Sequence, residues 1–228
     1  VTIGVIYNQQ LQRITAKLER LKHEENEEVE LIVIEETPGM ESGNFFKHAQ
    51  DRAKEAGYAI VGNDETQQSF RAYGFIGNIF KQLFDTPEKF MAWAITENIP
   101  SHERVRWKVL YQEIVMQERV VAIQQDPEEM QKQVIAILKR ISKNEPLCIL
   151  ATTPSKIDTY SKEVLEQLRY LDKGTSGGIA IIAKENGWKG PIHEGSTIKL
   201  EGIEIDEARA LIADELGLPK TELGEGLI

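Results

Sequence analysis

Five short apolar runs, each next to a segment of helical periodicity, constrain this chain more than any other feature. They are TIGVIY at 2–7, LIVI at 31–34, YAIVG at 58–62, LCILA at 147–151 and GIAIIA at 178–183. A run without polar alternation reads as a strand buried on both faces, and such strands belong to parallel sheets whose crossover helices cover both sides. Leu11, Ile14, Leu18 and Leu21 recur at helical steps between the first two runs, and Phe45, Phe46, Ala49, Ala53 and Ala56 between the next two. Gly57 stands where a left-handed cap ends the second of these helices. The first 62 residues therefore predict successive right-handed βαβ units.

From 65 to 144 the rhythm is helical only. Phe70, Tyr73, Ile76, Phe80 and Leu83 mark one helix; Thr86 with Pro87 opens another; Ser101 caps a long third that reaches Gln125. Asp126, Pro127 and Glu129 form a strong start signal for a fourth: an N-cap acid, a proline in the first turn and a capping-box glutamate. After LCILA comes a helix with Tyr160, Val164, Leu165 and Leu168. GIAIIA follows, and then STIKLEGIEI at 196–205, whose alternation, broken at Gly202, predicts an antiparallel strand with a bulge. The expected fold is a three-layer α/β protein, Rossmann-like or flavodoxin-like, with a mostly parallel sheet of five to six strands. It carries a large helical insertion and an antiparallel C-terminal strand. The expected division is 1–64 for the first half of the sheet, 65–145 for the helical block, 146–217 for the second half with a C-terminal helix, and 218–228 for a loose tail.

In such a sheet ligands bind beyond the carboxyl ends of the strands. That rule nominates Asn8 after the first run, Glu35 after the second, Asp64 after the third, and Thr152, Thr153 and Ser155 after the fourth. Asp64 and Glu35 are the candidate catalytic and metal-binding pair, since Mg²⁺ takes one or two carboxylates and keeps waters for a phosphate. Asn8, the hydroxyls of Thr152, Thr153 and Ser155, and the amides of the following helix start are the candidate ligand-binding groups. The expectation is a small anionic ligand, phosphate-bearing or carboxylate, and a Mg²⁺-dependent phosphoester hydrolase if the carboxylates converge. The same residues also start helices and stay wet in loops, which needs no ligand.

Against 27 Lys and Arg stand 37 Asp and Glu, a formal charge of -10 that argues against a nucleic-acid partner. Residues 139–199, with ten basic and seven acidic side chains, are the mildly basic exception. Four histidines and one cysteine, Cys148, show no zinc spacing, and neither a Walker loop, a GxGxxG turn nor a GxSxG elbow occurs. A lone cysteine, no signal-like start and no long apolar run lead to the expectation of a cytoplasmic protein without a membrane partner. The glycine-rich KGTSGG at 173–178 stands between a helix and a strand, the reverse of a phosphate cradle, and reads as a connector. The segment 101–125 is apolar on more than one face, with Val105, Trp107, Val109, Leu110 and Ile114. The alternative to a ligand-binding enzyme is therefore a non-enzymatic assembly protein that forms a homo-oligomer through its helical block.

Overall fold

Strands β1 (Glu30–Glu36), β2 (Ala59–Val61), β3 (Leu147–Ala151), β4 (Ile179–Lys184) and β5 (Thr197–Leu200) form one sheet in the order β2-β3-β4-β1-β5. The structure is a computed structural model that describes residues 7–23, 29–36, 42–62, 71–116, 126–169, 178–184 and 197–200. The run at 2–7 lies outside them. All four strand pairs are parallel, with Leu147 opposite Ile179, Glu30 opposite Ala180 and Ala59 opposite Leu147. Every residue of β3 is buried, as are the first five of β4, which is why these two runs lack polar alternation.

The C-terminal strand corrects the expected direction. Residues 197–200 pair parallel to β1, from Val33 opposite Thr197 to Glu36 opposite Leu200. β5 is the outermost described strand on its side, and Ile198 and Leu200 are buried while Thr197 is only half-buried. Its alternation thus records one-sided burial, which an edge strand has in either direction. Residues 201–205, including the predicted bulge, lie outside the described residues.

Seven described α-helices cover the two faces. On one, α1 (Asn8–His23) and α2 (Ser42–Glu55) bury Leu11, Ile14, Leu18, Phe45 and Ala49 against Ile32, Ile34, Ala180 and Ile182. On the other lie α3 (Gly74–Phe84), α4 (Pro87–Thr96), α5 (Ser101–Tyr111), α6 (Pro127–Asn144) and α7 (Thr159–Arg169). Ile76, Phe80, Leu110, Leu138 and Val164 join Val33, Ile149 and Ile181 in one hydrophobic cluster, so the helical block shares its core with the sheet. Gly57, at φ +80°, ends α2, and Gly178, at φ +100°, leads into β4. Residues 173–177 of KGTSGG lie outside the described set.

Local signals set the helix ends. Thr86 Oγ1 accepts from Lys89 N at 3.3 Å, and Asp126 Oδ1 from Glu128 N at 3.3 Å, with Pro87 and Pro127 in the first turns. Glu129 accepts from Gln133 Nε2 at 3.3 Å and faces Arg106 at 3.7 Å. Ser101 is not the cap of α5: Pro100 holds that place, and Ser101 Oγ accepts from Arg104 Nη2. α3 begins at Gly74, because Tyr73 takes a left-handed φ of 58° that breaks the periodicity expected from Phe70 onward.

The long third helix is also modified. After Tyr111 it continues as a π-helical turn, Gln112–Met116, and residues 117–125 lie outside the described set. Trp107, Val109, Leu110, Tyr111 and Ile114 are buried within the chain, leaving Val105 and Met116 exposed. The burial on which the self-association expectation rested is therefore largely supplied internally. Phe90 stacks on Tyr111 at 4.8 Å and Trp93 on Trp107 at 6.0 Å, making these aromatics core. Cys148 is fully buried on β3, which pushes its thiol up to about 12 and removes thiolate chemistry at neutral pH.

Candidate functional site at the carboxyl edge of the sheet

Because all described pairs are parallel, every strand ends on the same edge. The chain leaves β3 toward the face that holds α7 and leaves β1 toward the face that holds α2. β4 lies between them, so the chain passes to opposite faces from the strands on either side of it, the arrangement around which ligand crevices form in parallel sheets. Ala151 and Ala183 stand opposite each other at the ends of β3 and β4, and Val33 stands beside Ala183. Two alanines leave little bulk at this point of the edge. Thr152 and Thr153 follow, both half-buried. Lys184 ends β4 with its Nζ 5.6 Å from the Phe46 ring centroid, a cation–π contact that holds its charge on the α2 side.

Glu35 is half-buried near the end of β1, opposite Lys199 of β5. One strand separates it from Thr152 and Thr153, which at ~4.8 Å per strand is about 10 Å between backbones. These groups do not touch through that spacing, since β4 runs between them. Asn8 is exposed as the first residue of α1. It belongs to the same edge, because the far end of α1 lies at the strand starts: Leu18 O accepts from Tyr58 Oη at 2.7 Å just before β2. Tyr7 meets Phe45 of α2 at 5.5 Å beside it. Ser155 is exposed on a 3₁₀ turn, Pro154–Lys156. Asp64 lies outside the described residues.

The expected role of the helix start after TTPS is corrected by Asp158. This buried carboxylate accepts from Ser161 N at 2.9 Å, and from Tyr73 N and Phe75 N at 2.9 and 3.2 Å. Ser161 Oγ accepts from Ile76 N at 3.2 Å. The N-terminus of α7 already has its anion, supplied by the chain itself. Asp158 thereby pins the start of α3 to the loop that leads out of β3. The helical block also covers the end of β2: Gly62 N donates to Gln82 Oε1 at 2.9 Å, and a Cβ on Gly62 would stand 2.9 Å from Phe75 Cζ. What stays framed by small and polar groups is the end of β3, β4 and β1.

Sequence reasoning missed Lys184 and Asp158. Lys184 carries a legible signal, since it is the first polar residue after IAIIA. Asp158 precedes a periodic helix, which marks a cap, but its partners in α3 lie more than eighty residues away. Among the described residues no group of three or more His, Cys, Asp or Glu gathers for a metal ion. Among them, too, no helix is long and apolar enough to cross a membrane.

No known protein family, characterised protein or solved structure matches the chain.

Proposed function

We propose that the chain binds a small anionic molecule, phosphate-bearing or carboxylate, at the end of β4. The divergence of the connections after β3 and β1 around that strand is the observation that supports this reading most. Lys184 supplies the positive charge, and Thr152 and Thr153 supply hydroxyl donors on the facing wall. Glu35 closes the β1 side and selects against a ligand that is anionic along its whole length.

Hydrolysis is the further step of the proposal, with Asp64 and Glu35 on Mg²⁺ and Asn8 and Ser155 at the rim. It demands that Asp64 reach across the sheet. β2, the strand before it, is three spacings from β1 in the strand order, about 14 Å, so binding is favoured over metal-assisted cleavage.

The test is thermal denaturation with pyrophosphate and with citrate, with and without Mg²⁺, for the wild-type chain and for Lys184→Gln. A ligand that binds the folded state raises the melting temperature by linkage. The expected outcome is a rise in the wild type that Lys184→Gln loses. An equal rise in both, or none in the wild type, overturns the site. A rise that needs Mg²⁺ and disappears in Asp64→Asn carries the reading on to the hydrolase.

A further inference from the structure

A cavity of about 340 Å³ lies between α6 and α7, lined by Glu128, Gln131 and Lys132 of α6 and Tyr160, Glu163 and Gln167 of α7. Its size falls at the lower end of small-molecule sites. One wall is a fixed polar row. Gln131, only 7% exposed, donates from Nε2 to Glu163 Oε2 at 2.6 Å and accepts at Oε1 from Gln167 Nε2 at 2.9 Å. Burying a carboxamide is costly unless both ends are paired, and here the pairing fixes the orientation of Glu163. The other wall is aromatic: Tyr160 is 39% exposed, and its ring stacks on Tyr73 at 5.2 Å with an interplanar angle of 28°.

The charges in the cavity are of different kinds. Glu128 belongs to the first turn of α6, where a carboxylate offsets the helix dipole. Glu163 is the fifth residue of α7, beyond the reach of that effect, and among the described residues it has no Lys, Arg or His at ion-pair distance. Lys132 is exposed at the rim. Of the three charged side chains that line the cavity, two are carboxylates and one is an ammonium. An aromatic platform beside an oriented carboxylate is the chemistry that recognises an organic cation.

We infer that this cavity binds a guanidinium or primary ammonium group, seated against the Tyr160 ring and hydrogen-bonded to Glu163. The same chemistry is offered by a free amine or guanidine and by an arginine side chain of a peptide. The charge preference is opposite to that proposed for the end of β4.

The experiment titrates agmatine and a short blocked peptide with one arginine against the full chain, following binding by calorimetry or by NMR shifts. Glu163→Gln keeps the shape and removes the charge, and Tyr160→Leu removes the platform; circular dichroism checks that each variant folds. The expected result is saturable binding that Glu163→Gln weakens by about tenfold or more, as a lost charge-assisted bond does, and that Tyr160→Leu weakens by about fivefold. A tighter peptide assigns the site to a protein partner, and tighter agmatine to a small molecule. The inference is overturned if neither probe binds at concentrations up to about 10 mM, the weak end of specific affinity. Unchanged binding in both variants overturns it as well.

Discussion

Asp158 ties the start of α7 to the start of α3. Its carboxylate satisfies three backbone amides from two segments, and each would otherwise be buried without a partner. Replacing it by alanine strands all three, so Asp158→Ala is expected to destabilise the chain by about 3 kcal/mol or more. Asp158→Asn keeps one acceptor oxygen and should lose roughly half as much. Ser161→Ala, which frees only the Ile76 amide, should cost about 1 kcal/mol. Urea midpoints at unchanged slope measure the three values and their order. The cap at α7 is a local pattern that the sequence displays. The brace to α3 is not, because no periodicity links positions so far apart.

Among the described glycines, Gly77 of α3 brings another element closest, the π-helical turn. A Cβ on Gly77 would stand 2.3 Å from the carbonyl oxygen of Ile114, a backbone atom that cannot step aside. Gly77→Ala is therefore expected to cost about 2–3 kcal/mol by forcing the two helices apart. Gly43, also helical, has nothing within 4 Å of such an atom, and Gly43→Ala should stabilise α2 by up to about 1 kcal/mol. Opposite signs of the melting-temperature shift in the two variants check the argument. The helices of the block were legible from their apolar spacing, and α4 and α6 from their caps. The π-turn and the late start of α3 were not, since both arise where one helix presses on a distant segment.

At the scale of the whole molecule, the shared core makes the helical block and the sheet one cooperative unit. High pH tests this. Tyr73 is pushed up to about 12, and Tyr58 and Tyr111 are also raised, each chiefly by burial. Tyr58 sits against α1 on one side of the sheet and Tyr111 in α5 on the other. A phenol held neutral in the fold ionises near pH 10 when unfolded. Its contribution is whole below about pH 10 and is lost as pH climbs toward the folded value, because the unfolded chain then binds fewer protons. Denaturant stability should therefore fall between about pH 10 and 12. Tryptophan fluorescence and far-ultraviolet dichroism should report one coincident transition throughout. Tyr73→Phe should flatten the decline. Separate transitions would divide the block from the sheet.

The sequence by itself determined the α/β class, the parallel character of the central strands, the helical block between β2 and β3, and the edge on which candidate ligand groups fall. Those properties follow from periodicity and from caps, which act over a few residues. The tertiary structure decided the strand order, the parallel direction of β5, the place of Lys184 over the Phe46 ring, and the pairing of Asp158 with the start of α3. It also placed Glu163 beside Tyr160. Each of these depends on which surfaces meet after the chain has crossed the sheet, and the free energy of that meeting is set by packing and hydrogen-bond satisfaction between residues far apart in sequence.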